Sequence, residues 1–135
     1  MNVVLDTNVI VSALLTAHGD CARIGDMLGG GAFDLCADDR ILSEYDSVLR
    51  RTELCIAPAD AEIMMELIRQ VVLPIAALPL PVELPDPDDM PFLEVAAAAG
   101  AVLVTGNRRH FPRKACGAVR VLSPGELLEL LSRLA

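Results

Sequence analysis

The stretch Asn2-Val3-Val4-Leu5-Asp6-Thr7-Asn8-Val9 decides the fold. Asn2 to Leu5 is a short apolar run of the kind that forms a buried strand. Asp6, Thr7 and Asn8 are helix-capping residue types, and Val9 to Leu15 continue as a short helix. A strand that passes directly into a helix is the first step of an α/β alternation.

The rest of the chain keeps that alternation. His18-Gly19 breaks the first helix, and Asp20 is placed to cap a second that ends at Gly29-Gly30-Gly31. Ala32 to Ala37 read as the next strand. Asp38 or Asp39 then caps a helix through Arg51, with Ile41, Leu42, Tyr45, Val48 and Leu49 at helical spacing. Pro58 signals the start of a helix over Ala59 to Leu73. Pro74 to Pro87 is proline-rich and reads as a surface loop, with room for a short strand near Val82. Asp88 or Asp89 caps a helix that runs to Gly100, Ala101 to Thr105 form a strand, and Gly106 to Pro112 a loop. Val119 to Leu122 are the last strand. Ser123-Pro124 supplies a cap and a first-position proline to a helix carrying Leu127, Leu128, Leu130 and Leu131. This pattern predicts one α/β domain over residues 1–135, with a mostly parallel central sheet of about four to five strands flanked by helices.

Composition narrows the function. Hydrophobic residues make up 53% of the 135-residue chain, enough for a real core. Aromatic residues are only 3%, which argues against base-stacking platforms. The net charge of −8 makes passive phosphate binding a poor fit, but a cation between carboxylates and phosphates removes the objection. The same charge suits solubility or a basic protein partner. Cys21, Cys36, Cys55 and Cys116 have neither Cys-x-x-Cys spacing nor a nearby His, and read as buried small hydrophobes in a reducing compartment. No signal peptide and no run of roughly 18 apolar residues is present, so a soluble cytoplasmic protein is expected.

Polar groups gather where α/β sheets bind ligands, beyond the carboxyl ends of the strands. Asp6 ends the first strand, and Thr105 and Asn107 end a later one. An Asp before a helix is ordinarily a cap, but Asn8 is equally placed to cap and leaves the Asp6 carboxylate free. After four mostly apolar residues a lone carboxylate is costly, and a cation offsets that cost. Asp86-Pro87-Asp88-Asp89 puts three carboxylates in four residues, where one cap would explain only one of them. Glu44 lies at the edge of its helix's apolar stripe, where a solvated glutamate is the ordinary reading. His18 and His110 are the only histidines, so no Ser-His-Asp arrangement is visible, and the glycine run is not a P-loop.

These residues resemble the PIN-domain nucleases. Leu5-Asp6-Thr7-Asn8-Val9 is similar to that family's opening motif, and Glu44 within Ile41-Leu42-Ser43-Glu44-Tyr45 to its second acid. Asp89-Met90-Pro91-Phe92-Leu93-Glu94-Val95-Ala96 is similar to the third motif, and Leu103-Val104-Thr105-Gly106-Asn107 matches the fourth in position. The ordered combination spans nearly the whole chain. Asp86-Pro87-Asp88-Asp89 and the stretch from Gly106-Asn107 to His110-Phe111-Pro112 look most like the bacterial VapC-like branch, the toxin components of toxin–antitoxin pairs.

The resemblance implies cleavage of single-stranded RNA with Mg²⁺ or Mn²⁺. Asp6 and Asp89 would be the principal metal ligands, with Glu44 binding metal or positioning the attacking water. Asn8 and Thr105 would support the ligands, and Arg108 and Arg109 would contact RNA phosphates. Many PIN domains carry Asp where this chain has Asn107; an amide is a weaker ligand for a hard cation, so Asn107 would join the catalytic set by orienting a metal-bound water, and one metal is favoured over two. A small antitoxin partner and a homodimer are also implied. The rival reading is a catalytically weak PIN-like module that binds a protein or RNA. A haloacid-dehalogenase-type phosphatase fits poorly, because that chemistry wants a second Asp two residues after the first and position 8 is Asn.

Overall fold

The computed structural model describes residues 1–135. Its centre is β1 (Asn2–Leu5), whose Val3, Val4 and Leu5 are fully buried. All pairings in the five-stranded sheet are parallel, in the order β3-β2-β1-β4-β5. On one side β1 pairs with β2 (Asp34–Ala37), which pairs with β3 (Leu73–Pro74). On the other it pairs with β4 (Val102–Val104), which pairs with β5 (Val121–Leu122). The register places Val3 against Val102 and Leu5 against Val104. The chain therefore builds outward from β1 in one direction and later from β4 in the other. The switch point lies between those two strands.

Seven helices flank the sheet: α1 (Thr7–Leu15), α2 (Asp20–Met27), α3 (Asp39–Leu49), α4 (Pro58–Val71), α5 (Met90–Ala99), α6 (Arg113–Cys116) and α7 (Pro124–Leu134). Helix α5 packs on β1, β2 and β4; α1 packs on α2 and α3; α7 packs on α2 and β5. The apolar faces meet in one core cluster that includes Ile41, Tyr45 and Leu49 of α3 and Phe92, Leu93 and Val95 of α5. This is the helical spacing expected from the sequence. Ser123 and Glu126 close a reciprocal capping box on α7 behind Pro124.

Several boundaries differ from expectation for identifiable reasons. Helix α1 begins at Thr7, and Asn8 does not cap it, because its side-chain oxygen accepts from the Gly106 amide at 3.1 Å. Asp20 is the first residue of α2 and Gly19 its cap position. Asp38 caps α3 by accepting from the Ile41 amide, and that helix stops at Leu49 rather than Arg51. The apolar run Val71-Val72-Leu73 reads as continued helix, yet Leu73–Pro74 pair with the edge of β2. Pro74 lacks an N–H, which an edge strand tolerates. No strand forms near Val82. The strand predicted over Val119 to Leu122 is only Val121–Leu122, and α6 follows the loop where no helix was expected. Cys36 and Cys116 are buried, but Cys55 is exposed, at a left-handed φ of 55°.

Two polar ties fix segments that carry acids. Buried Glu94 on α5 accepts from Arg40 at 2.7 Å and from the Leu80 amide at 3.2 Å, so it holds the proline-rich segment against α3 and α5. The fully buried Tyr45 donates its hydroxyl to the Leu5 carbonyl, binding α3 to the last residue of β1. Replacing Tyr45 by Phe leaves that carbonyl unpaired in the core. We expect Tyr45→Phe to lower unfolding free energy by about 1–2 kcal/mol in urea denaturation.

Candidate active site

Asp6 and Thr105 are the residues immediately after β1 and β4. Backbone pairing continues one step past the strands, with the Asp6 amide donating to Val104 O at 2.8 Å and the Thr105 amide to Leu122 O at 3.0 Å. The two side chains thus meet at the switch point, the usual ligand position in an open α/β sheet. Thr105, only 1% exposed, donates its hydroxyl to Asp6 Oδ2 at 2.7 Å. Asp6 occupies the cap position of α1 without making a side-chain cap bond, so its carboxylate is free of helix capping.

The other acids arrive on separate elements. Tyr45 anchors α3 to Leu5, and the adjacent Glu44 accepts a hydrogen bond from the Thr7 hydroxyl. Asp86 caps the 3₁₀ turn Pro87–Asp89 by accepting from the Asp88 amide at 2.9 Å. Asp89 holds the cap position of α5, as the sequence suggested, but makes no side-chain cap bond; Asp86 caps only the turn before it. Asp86 and Asp88 stay exposed, whereas Asp89 is buried just ahead of Phe92.

Burial pushes the Asp6 carboxyl above its ordinary value, opposed by the Thr105 hydroxyl and the Thr7 amide. It does the same to Glu44, reinforced by Asp6 and Asp88 and opposed by Thr7 and Arg51. Asp89 is pushed up to about 6, by burial first and then by Asp6 and Asp86. Asp6 raises both Glu44 and Asp89, and Glu44 adds to the rise at Asp89, so the three acids are electrostatically coupled, a pattern that clusters at functional sites.

The donor set fits a hard divalent cation. Oxygen ligands of carboxylate type suit Mg²⁺ or Mn²⁺. Asp89 Oδ2 is buried and makes no hydrogen bond; His110 Nδ1 lies 3.2 Å away, at ion-pair distance without hydrogen-bond geometry. The acids do not stand as a closed coordination group of three or more. The Thr7 hydroxyl hydrogen-bonds Glu44 and the Thr105 hydroxyl hydrogen-bonds Asp6.

Asn107 sits beside this unit in a structural part. Its Oδ1 accepts from the Arg109 amide at 3.2 Å and caps the 3₁₀ turn Arg108–His110, while its own amide donates to Thr105 Oγ1 at 3.0 Å. Asn8, through Gly106, braces the same loop. Arg108 pairs with Glu126, and Arg109 is exposed without an ion pair. Sequence reasoning passed over His110, Thr7 and Tyr45. His110 is the third residue of the turn that Asn107 caps, so the Asn-Arg-Arg-His spacing was the available signal.

The family model described as the PIN domain matches residues 2–109, most of the chain and all of these acids. The chain belongs to the PIN-domain family. That family is one of nucleases. Among solved structures, PAE2754 from Pyrobaculum aerophilum is 17% identical with a TM-score of 0.64, over 98% of this chain and 89% of that one. A chain of VapBC2 from Rickettsia felis, bound to a DNA fragment from their promoter, is 16% identical with a TM-score of 0.60 (91% and 98% covered). One of FitAcB from Neisseria gonorrhoeae is 18% identical with a TM-score of 0.57, over 91% and 98%. At these identities the likeness is one of fold. No curated protein matches the sequence.

The raised Asp89 pKa has a direct thermodynamic consequence. The folded protein holds that proton more tightly than the unfolded chain, so this contribution to stability is present at low pH. It is lost as pH rises from about 4 through about 6. Asp89→Asn removes the titration. In EDTA we expect Asp89→Asn to melt above wild type at pH 7.5, with the gap shrinking through pH 5 and closing near pH 4; a gap that stays constant with pH would contradict the assignment.

Proposed function

We propose that this PIN domain is a divalent-metal-dependent endoribonuclease that cleaves single-stranded RNA, the toxin of a toxin–antitoxin pair. The observation that carries the reading is the convergence of Asp6, Glu44 and Asp89 near the β1/β4 switch point: burial raises the carboxyl pKa of all three, Asp6 also raises those of Glu44 and Asp89, and Glu44 adds to that of Asp89. Asp6 and Asp89 would hold Mg²⁺ or Mn²⁺; Asp89 Oδ2, which makes no hydrogen bond, is a ready ligand atom. A bound divalent ion supplies an acidified water and neutralises charge on the scissile phosphate. Thr105 orients Asp6 through its hydroxyl, and Asn8 and Asn107 hold the loop that orients Thr105. Glu44 positions the attacking water or takes its proton. Arg109, and Arg108 where it is not engaged by Glu126, would meet RNA phosphates beside the acids.

Residues 110–135 are read as part of the same domain, since α7 packs on α2 and β5. The proposed partners are a small antitoxin and a second copy of this chain, by the fold likeness to chains of VapBC2 and FitAcB. No helix is long and apolar enough to cross a membrane, which is compatible with the proposed action in the cytoplasm.

One observation favours a second reading, a PIN-like module with weak or no catalysis. The fourth position is an amide whose oxygen is spent on capping a turn. Calorimetric titration with Mn²⁺ separates the two readings; absence of binding at millimolar metal favours the module.

With Mn²⁺, wild type is expected to cut single-stranded RNA, and EDTA, Asp6→Asn or Asp89→Asn to abolish cutting. Thr105→Val, which keeps shape but loses the hydroxyl, is expected to slow it about 10–100-fold. Cleavage that survives both the chelator and the Asp substitutions would end the proposal.

A further inference from the structure

One sizeable cavity is lined by none of the three acids. It lies beyond the turn Arg108–His110, has a volume of about 570 Å³, and is lined by Arg108, Arg113 and Arg120 over a floor that includes Phe111 and Cys116. None of its lining residues is acidic. Arg108 forms a fixed wall, because its guanidinium pairs with Glu126, whose carboxylate also accepts from the Ser123 amide at the start of α7. The Arg120 carbonyl accepts from the Leu103 amide at 2.9 Å, which fixes that residue to β4. The Arg113 and Arg120 guanidiniums are exposed and make no ion pair.

Charge is distributed to match. Arg108, Arg109, Arg113, Lys114 and Arg120 are five of the 11 Lys and Arg residues, and no Asp or Glu occurs between Glu94 and Glu126. The other six basic residues share the rest of the chain with all 19 acids. Four of those six, Arg40, Arg50, Arg69 and Arg133, are taken up in ion pairs. A polyanion is therefore repelled by most of this surface and attracted along one strip. That strip starts at the active-site edge: Arg108 follows Thr105 by three residues, so their backbones lie within roughly 11 Å.

We propose that this cavity is a phosphate-backbone subsite, in which Arg113 and Arg120 hold the flanking phosphodiesters of an RNA strand as it leaves the acids. The assignment rests on the nuclease reading for its substrate class, and extends it from the reacting phosphate to the path of the strand. Guanidiniums match phosphate oxygens as two-point donors. Their contacts on backbone oxygens carry position and affinity rather than base identity. The scarcity of aromatic residues agrees with a subsite that reads backbone rather than bases.

The test is binding without cutting. Fluorescence anisotropy in EDTA would follow a labelled 12-nucleotide oligouridylate and a glutamate-rich peptide of equal charge. The proteins would be wild type, the double variant Arg113→Gln/Arg120→Gln and the double variant Arg113→Lys/Arg120→Lys, with melting temperatures checked for each. At 50 mM salt the Gln pair is expected to bind the oligonucleotide at least tenfold more weakly. The slope of log affinity against log salt should flatten by roughly 1.4 for two lost single-strand contacts. The Lys pair should recover part of the affinity, and the peptide should bind wild type more weakly than the oligonucleotide. Unchanged binding by a folded Gln pair, no oligonucleotide binding by wild type, or peptide binding as tight as the oligonucleotide would each overturn the subsite. Cleavage is scored separately with Mn²⁺: arginine-dependent binding without cleavage would keep the subsite and sink the nuclease reading, and cleavage with arginine-independent binding would do the reverse.

Discussion

The hydrogen bond from Thr105 to Asp6 joins the ends of two strands that are nearly a hundred residues apart in the chain. It exists because β1 and β4 are parallel neighbours in register, Leu5 beside Val104, so that the next residue of each strand emerges at the same edge. Much of the site follows from this. Asp6 must sit at the end of the most deeply buried strand, where burial raises its pKa. Thr105 both satisfies one of its oxygens and takes part in the loop that Asn8 and Asn107 brace. A carboxylate so placed is held in one orientation and is short of counter-charge.

The remaining acids reach that edge through ties that are themselves structural. Tyr45 attaches α3 to Leu5 and so brings Glu44 to Thr7. Glu94, buried and satisfied by Arg40 and Leu80, settles the proline-rich segment from which the turn Pro87–Asp89 departs. The contrast between Glu94 and Asp89 is instructive. Both are buried acids of neighbouring sequence, but Glu94 has a guanidinium and an amide, whereas Asp89 Oδ2 has no hydrogen bond. A buried charge without a partner is destabilising unless the protein gains something from it. The proposed metal-binding role of Asp89 would offset that cost.

Acidic and basic regions are separated along the chain. The acids that form the site come before residue 95, and the basic strip follows β4. Because β4 is the neighbour of β1, the basic strip begins, at Arg108, just beyond the strand end that carries Thr105 beside Asp6.

Local chemistry was legible in the residues. The apolar run of β1, the Tyr45 stripe of α3, Pro58 at the start of α4 and the Ser123-Pro124 cap all act through near neighbours, so their signals survive without the fold. Where the reading failed, a distant partner had decided. Leu73 became strand because β2 offered an unpaired edge, Asn8 left the cap for Gly106, and Asp89, though at the cap position of α5, makes no side-chain cap bond. Glu44 alone looks like a solvated helix residue; it is half-buried only because Tyr45 pins its helix. By itself the sequence determined which residues were acids at strand ends and in what order they came, since periodicity and composition are local properties. Only the tertiary structure decided that Asp6, Glu44 and Asp89 share one field, that His110 stands beside Asp89, and that Arg113 and Arg120 line a cavity. Burial and distance, which set both pKa and binding, are properties of packing between segments that no local pattern encodes.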